Sequence, residues 1–305
     1  MPPASAAWQL RENVPLAPLT TWKIGGPARF LAEPPVDALP EVLAWARGEN
    51  LPVWFMGRGS NVLVDENGLP GLVILTRNVW QEIREEDGQI VAEAGVSLPR
   101  LAKFAASLGF AGYEFLIGIP GTVGGGVAIN AGFKQGDLRD MAHLAEQVET
   151  VSPRGEVRRE VYSAFHPAYR RTDLLGNHHC VTRVWFRLET RGTTEAIRAE
   201  TKAHLIARKR KQPLTRPTAG SVFKSTPDGT PAAVFIDRIN LKGLRVGDAM
   251  VSQKHANWIE NVGQATAGDV RALIHMIQTH VRDACGVRLE PEIRDLKAVP
   301  SIQWA

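Results

Sequence analysis

Six of the fifteen residues from Gly118 to Gly132 are glycine, in the run Gly-Ile-Pro-Gly-Thr-Val-Gly-Gly-Gly-Val-Ala-Ile-Asn-Ala-Gly. Glycine puts no Cβ between a backbone N–H and a ligand, and it turns through positive φ without strain. Successive amides in such a loop can converge on phosphate oxygens. The same composition also serves a tight bend where two segments pack closely. A second stretch, Gly57-Arg58-Gly59-Ser60-Asn61, adds a serine hydroxyl to its amides and suits the same task. Neither loop belongs to the common nucleotide folds. The Rossmann pattern needs a third glycine leading into a helix, whereas Val62-Leu63-Val64 reads as a strand. The Walker pattern needs a closing Gly-Lys-Ser/Thr, which both loops lack. Two more stretches carry polar groups in apolar surroundings: Ala219-Gly220-Ser221-Val222-Phe223-Lys224, and Leu289-Glu290-Pro291-Glu292-Ile293 with its paired carboxylates.

The rest of the composition narrows the class. With 305 residues, 44% of them hydrophobic and 22% charged, the chain has the profile of a soluble globular protein of two or three domains. Cys180 and Cys285 match no metal or redox spacing, so free thiols in a reducing cytoplasm are expected and no metal site is. Residues Met1 to Leu10 lack the pattern of an export signal, and no apolar run reaches membrane-spanning length. The balance of 36 basic to 32 acidic residues suits an anionic small molecule and is too slight to imply nucleic acid. Arg208-Lys209-Arg210-Lys211, the densest charge run, reads as a solvated helix end with cations near the C-terminal dipole.

The elements that must position these groups follow from caps and periodicity. A strand is expected at 29–33, then a helix capped by Asp37 and running to Gly48 with Leu39, Val42, Leu43 and Ala46 on one face. Strands are expected at 51–56, 72–75 and 89–94, and Ser97 caps a short helix that Gly109 ends. A hairpin turns at Pro153-Arg154-Gly155, and a strand follows at 181–188. A helix from Thr194 to about Lys211 carries Ile197, His204 and Leu205 on one side. Residues 219–224 read as a strand, Ala232, Phe235, Ile236 and Ile239 as a helix face, Thr266 to Ala284 as the clearest helix, and 287–293 as a tail strand with Glu290 and Glu292 on one side. Strands dominate the middle of the chain, which favours α+β over alternating βαβ.

These stretches, taken in order, resemble the UDP-N-acetylenolpyruvoylglucosamine reductase family. Gly118–Gly132 is similar to its GIPGxVGGxxxxNAG signature, and Gly57–Asn61 to its GxGSN loop. Tyr169-Arg170-Arg171-Thr172 resembles its Tyr-Arg-x-Ser element, and His255-Ala256-Asn257 a further short signature. The likeness runs from about Thr20 to about Asp295. It implies an α+β chain with an FAD-binding domain of the PCMH/vanillyl-alcohol-oxidase type in two subdomains (1–75 and 76–207) and a C-terminal α+β substrate-binding domain (208–305). The final strand near 287–296 has room to pack back on the FAD-binding part. The implied reaction is the NADPH-driven, FAD-mediated reduction of UDP-GlcNAc enolpyruvate to UDP-N-acetylmuramate in peptidoglycan precursor synthesis, in the cytoplasm. The implied partner is a UDP-sugar, with no nucleic acid and no membrane, and a monomer is compatible with the sequence.

The resemblance also assigns residues. Non-covalent FAD would lie against Gly57, Arg58, Gly59, Ser60, Asn61, Ile119, Pro120, Gly121, Thr122, Gly124 and Gly125. Hydride addition to an enol ether conjugated with a carboxylate pushes charge onto that carboxylate, and Arg170 and Glu292 occupy the family positions that answer it. Ser221 matches the proton donor to the neighbouring carbon. Tyr169, Lys224 and His255 are expected to touch substrate. The chain departs from the family pattern at Lys23 (commonly Arg), Thr172 (Ser) and Ser225-Thr226 (Asn-Pro), and its short path from Tyr169 to Val181 looks like the shorter subtype. The competing readings are another FAD oxidoreductase of the same fold acting on an alcohol or lactone, often with covalent flavin on a histidine, and a nucleotide- or nucleic-acid-binding protein built on Arg208–Lys211. The glycine loops contain no His or Cys, which favours non-covalent FAD.

Overall fold

A computed structural model describes residues 8–135, 137–176, 178–296 and 300–302. The first sheet takes its strands in the order Leu10–Pro15, Pro27–Ala32, Leu69–Leu75, Val53–Met56. Its first pair is antiparallel and the others parallel. The helix Leu39–Gly48 covers it, burying Leu39, Val42, Leu43 and Ala46 at the 3.6-residue period. Asp37 does not cap that helix: a 3-10 turn at Val36–Ala38 comes first, and the exposed Asp37 carboxylate reaches Arg183 at 3.4 Å instead.

The second sheet is antiparallel throughout, in the order Val157–Val161, Ala145–Val151, Cys180–Arg187, Gln89–Glu93, Ile83–Glu86. Gly155 makes its hairpin turn at φ 85°. The helix Leu98–Ser107 starts where Ser97 Oγ accepts from Arg100 N at 3.3 Å and packs Leu98, Leu101, Ala102 and Ala105 into the core shared by both sheets. The helix Thr194–Lys211 packs on the 3-10 turn Glu114–Gly118. Ile197 is buried and His204 half-buried, but Leu205, expected beside them, faces solvent.

A second core gathers residues from Ala219 to Ile293. Its sheet runs Arg245–Val246, Ala249–Val251, Ile259–Asn261, beneath the helices Ala232–Arg238 and Ala267–Cys285. The long helix has a capping box, with Asp269 N bonded to Thr266 Oγ1 at 3.0 Å and Thr266 N to Asp269 Oδ2 at 2.9 Å, and it ends on Gly286 at φ 68°. Residues 219–224 do not form a regular strand. Gly220 sits at φ 85°, and the stretch makes only the isolated bridges Ser221↔Trp258 and Phe223↔Pro291. Residues 287–293 form no strand either; regular pairing falls on Arg294–Asp295, parallel to Val62–Leu63.

That pairing and Trp22 fasten the second core to the first sheet. The Trp22 indole is buried, donates to Ile259 O at 2.9 Å, and its carbonyl accepts from Asn261 Nδ2 at 3.1 Å. Arg271 of the long helix reaches Asp65 at 2.8 Å and also pairs with Asp295, so both sides of the parallel pair are gripped by one guanidinium. The described tail returns at Ser301 and Ile302. Ile302 exchanges backbone bonds with Val53 at 2.9 and 3.0 Å, and Ser301 Oγ accepts from Phe55 N at 3.2 Å.

Candidate active site

The two glycine loops leave different elements and meet. Gly57–Asn61 follows strand Val53–Met56, and Gly59 turns at φ 61°. Gly118–Thr122 follows the 3-10 turn and enters the short helix Val123–Ala128, whose N-cap is Thr122. A Cβ on Gly57 would stand 2.4 Å from Thr122 Oγ1, and one on Gly121 3.9 Å from Ser60 Oγ. The glycines of the run divide into two groups. A Cβ on Gly124 would strike Ala94 Cβ at 2.7 Å, and one on Gly132 would meet Arg139 O at 2.5 Å, so these positions serve close packing. A Cβ on Gly126 would crowd Leu98 Cδ2 at 3.2 Å, whereas one on Gly118, Gly121 or Gly125 would make only ordinary contacts at 3.5 Å or more and would fit without a clash.

These glycines line a cavity of about 510 Å³, within the range of roughly 300–1,000 Å³ usual for ligand sites. Every residue expected to hold FAD lines it, namely Gly57–Asn61, Ile119–Thr122, Gly124 and Gly125, and so do Arg170, Ser221, His255 and Glu292. Tyr169 and Lys224 do not line it. The Tyr169 hydroxyl lies 3.3 Å from both Ser225 Oγ and Ser225 N, and Lys224 pairs with Glu290 at 2.6 Å.

Arg170 sits in a two-residue turn closed by bonds between Ala168 and Arg171 of 2.9 and 3.1 Å. Its φ of 55° is costly for a long side chain and has to be held by its surroundings. Three side chains clamp this segment to the glycine run. Tyr162 Oη donates to Val127 O at 2.8 Å, Thr172 Oγ1 to Ala128 O at 2.6 Å, and Asn130 Nδ2 to Ala168 O at 3.1 Å. Arg170 is thereby aimed inward, with Nη2 on Gly132 O at 2.9 Å and Nε on Glu292 Oε1 at 2.7 Å. Thr172, a departure from the family's serine, makes the bond that a serine hydroxyl would make.

Glu292 is fixed through its backbone. Its N–H donates to Val222 O at 2.7 Å, and its carbonyl accepts from Asn61 Nδ2 at 3.3 Å. Burial pushes its carboxyl above the ordinary carboxylate range, while the charge and hydrogen bond of Arg170, and then the charge of Lys224, pull it back. Ser221 is half-buried, and its hydroxyl has no hydrogen-bond partner among the described residues. Its segment is held by Asn257, whose Nδ2 donates to Phe223 O at 2.8 Å and whose Oδ1 accepts from Phe223 N at 3.0 Å. The His255-Ala256-Asn257 signature thus has a structural member in Asn257. His255 Nδ1 accepts from Asn257 N at 3.2 Å, which leaves the proton of the neutral ring on Nε2. Burial, and then the charge of Lys242, hold His255 below the ordinary imidazole value.

Two lining residues escaped the sequence reading, Arg208 and Arg294. Arg208 belongs to the run expected to be solvated; Lys209, Arg210 and Lys211 are exposed, but Arg208 is half-buried against Gly118. Arg294 stands two residues beyond Glu292 with its N–H on Asn61 O at 3.0 Å. Burial lowers the pKa of both guanidinium groups. The described lining holds Arg58, Arg170, Arg208 and Arg294 against one carboxylate, Glu292. Such a cavity favours an anionic ligand. In the glycine run the N–H groups of Gly121, Gly124, Gly125 and Gly126 donate within the protein, whereas those of Gly57–Asn61 have no partner among the described residues. These loop amides, Ser60 and the uncompensated arginines fit a dinucleotide diphosphate, so the residues present fit FAD.

Comparison with known proteins agrees with this geometry. An FAD-binding domain family matches residues 32–160, and the C-terminal domain family of UDP-N-acetylenolpyruvoylglucosamine reductase matches residues 212–296. The reductase of Synechococcus sp. (strain WH7803) is 38% identical over 94% of this chain and 93% of its own. That of Alkalilimnicola ehrlichii is 42% identical over 93% of this chain and 94% of its own. The solved structure of UDP-N-acetylenolpyruvylglucosamine reductase from Thermus caldophilus aligns with a TM-score of 0.78 at 36% identity, covering 94% of this chain and 99% of that one. With both loops, the arginine–glutamate pair and the serine assembled around one cavity, and with relatives matched along nearly their whole length, the chain belongs to the UDP-N-acetylenolpyruvoylglucosamine reductase family.

Proposed function

We propose that this chain reduces UDP-N-acetylglucosamine enolpyruvate to UDP-N-acetylmuramate, a step of peptidoglycan precursor synthesis, with Arg170, Ser221 and Glu292 as the catalytic groups. The observation that carries this reading is the convergence of those three side chains with both glycine loops on one cavity. When bound, FAD would supply the hydride chemistry for the enolpyruvyl double bond, with NADPH as the reductant. Gly57–Asn61, Ile119–Thr122, Gly124 and Gly125 would hold the flavin non-covalently. His178, His179, His204 and His255 also line the cavity from outside the glycine loops, so acid precipitation should release the flavin if no histidine is its tether.

The chain's own residues account for the remaining demands. As the hydride arrives, negative charge builds on the substrate carboxylate. The Arg170 guanidinium, already placed by Gly132 O and Glu292, is a fixed cation for that charge and needs no reorganisation at the moment of reaction. Glu292, whose carboxyl burial pushes up while Arg170 pulls it back, is the second group proposed at that carboxylate, where its acid form would donate a hydrogen bond. The Ser221 hydroxyl, without an internal partner among the described residues, is free to give its proton to the carbon beside the carboxylate. An alcohol is a weak acid, but an enolate-like carbanion is a stronger base than the Ser221 alkoxide left behind, so the transfer runs downhill.

Tyr169, whose hydroxyl lies by Ser225, and Lys224, paired with Glu290, are proposed to close on substrate oxygens from outside the cavity lining, and His255 to donate from Nε2 to the substrate nucleotide. No described helix is long and apolar enough to cross a membrane. We place the enzyme in the cytoplasm, acting on a small-molecule UDP-sugar without nucleic acid, and take the FAD-binding part as 1–75 with 76–207 and the substrate-binding part as 208–305. The deciding experiment reduces the protein with NADPH without oxygen, adds UDP-GlcNAc enolpyruvate and follows flavin reoxidation. Absence of reoxidation sinks the activity.

A further inference from the structure

We propose that Arg208 holds the diphosphate of bound FAD, acting as the side-chain cation opposite the unbonded backbone amides of Gly57–Asn61. The first ground is placement. The helix Thr194–Lys211 lies against the turn Glu114–Gly118, and its last turn carries Arg208 over the start of the glycine run. A Cβ on Gly118 would stand 3.6 Å from Arg208 Cδ and 3.7 Å from Nη1, so the guanidinium lies along backbone that offers no side chain. Three residues on, Gly121 faces Ser60, where the two loops meet around the cavity that Arg208 also lines.

The second ground is charge. Arg208 is half-buried, and no hydrogen bond or ion pair of its side chain occurs among the described residues, whereas Lys209, Arg210 and Lys211 reach solvent. A guanidinium partly withdrawn from water without an anion is costly unless a ligand supplies one. Burial accordingly lowers its pKa. The cavity has nothing to offer it: the one lining carboxylate, Glu292, is bonded to Arg170 at 2.7 Å.

The third ground is rigidity. The helix end is tied down where Gln212 N bonds to Arg208 O at 2.9 Å and Lys254 Nζ to Lys209 O at 2.6 Å, so the guanidinium is delivered to a fixed place. Among the parts of FAD only the diphosphate carries charge, and a planar fork of donors suits phosphate oxygens. The substrate's diphosphate presents the same chemistry, and the test separates the two.

FAD is titrated into apoprotein of the wild type and of Arg208→Gln, Arg208→Lys and Lys209→Gln, with Kd read from flavin fluorescence at two salt concentrations. The KM for UDP-GlcNAc enolpyruvate is measured on each variant saturated with FAD. Arg208→Gln is expected to raise the Kd for FAD by about tenfold or more and to flatten its salt dependence, since one charge-assisted contact is lost. Arg208→Lys, which keeps the charge but not the fork, falls between it and the wild type. Lys209→Gln leaves Kd unchanged, and the UDP-sugar KM stays within about twofold throughout. Unchanged FAD affinity in Arg208→Gln overturns the proposal, as does a rise in UDP-sugar KM with FAD affinity unmoved, which would give Arg208 to the substrate's diphosphate. Should Arg208→Gln apoprotein fail to fold by circular dichroism, Arg208→Lys decides: wild-type affinity there overturns the proposal.

Discussion

Arg170 and Glu292, 122 positions apart in the chain, share a 2.7 Å hydrogen bond at the cavity wall with both side chains largely withdrawn from water. Arg170 also bonds to Gly132 O through Nη2, so two different nitrogens of one guanidinium are committed. Lysine cannot make both contacts. Arg170→Lys and Arg170→Ala are each expected to lower kcat by about 10²- to 10³-fold, the size of losing one preorganised donor. The KM for the UDP-sugar should rise less. Steady-state kinetics of the folded variants, with NADPH reduction of the flavin as the reference step, would reveal an error if kcat held.

Glu292 gives the fold a pH dependence of definite sign. Its folded-state pKa lies above the ordinary carboxylate value of 4.5, so its contribution to stability is fully present below that value and is lost as pH rises through the folded value. Glu292→Gln has no such titration. The stability of Glu292→Gln relative to wild type should therefore climb as pH rises from about 4.5 toward neutrality. Urea unfolding at a series of pH values measures it, and a constant difference would contradict it.

His255 has the opposite sign. Its folded-state pKa lies below 6.5, so its contribution is present above that value and lost as pH falls through the folded value. Wild-type protein should lose more stability than His255→Asn on going from pH 7.5 to pH 5, values chosen to bracket roughly the imidazole range. Thermal melts of both proteins at the two pH values are enough to check the order.

Ser221→Ala removes a hydroxyl that makes no bond within the described chain, so folding and flavin affinity should stay near wild type. Product formation should fall by about 10²- to 10⁴-fold, the usual weight of a positioned proton donor. Asn257→Ala is the structural counterpart. It strips two bonds from the Phe223 backbone and should cost about 2–3 kcal/mol of stability. If Ser221→Ala turned over like wild type, the proton would have to come from elsewhere.

The two groups of glycines can be separated by one methyl each. Gly124→Ala puts a Cβ 2.7 Å from Ala94 Cβ and should destabilise by about 1–3 kcal/mol through overpacking. Gly125→Ala meets only Thr122 Oγ1 at 3.6 Å and lies inside the helix Val123–Ala128. It should leave the apoprotein as stable or slightly more so, while weakening FAD binding by filling the cavity. Equal effects of the two on both readouts would erase the distinction.

Much of this was legible where local rules decide. Ser97, Thr266 and Gly286 mark helix ends because cap chemistry is local, and the apolar period of 267–285 leaves one burial choice. The segments 219–224 and 287–293 have the composition of strands, yet each is held by single bridges and side-chain bonds from distant loops. Asp37 was a plausible cap whose carboxylate found a partner 146 positions away. Arg208 was lost to a sound general rule: cations at a helix end are usually solvated, and only the packing of that helix on Glu114–Gly118 makes this one an exception. The divided use of the glycine run could not be read from composition, since clash or openness depends on what lies opposite.

The parallel pairing of Arg294–Asp295 with Val62–Leu63 bears on how the protein acquires its cofactor. Glu292 stands two residues before that pairing, and Asn61, whose Nδ2 donates to its carbonyl, stands one residue before the other strand. The wall facing the flavin loops is therefore fastened by a contact spanning 231 positions, the kind of non-local pairing that carries a high closure entropy. A cofactor held between walls so fastened binds the folded chain and not the unfolded one, so the melting temperature becomes a function of free FAD concentration.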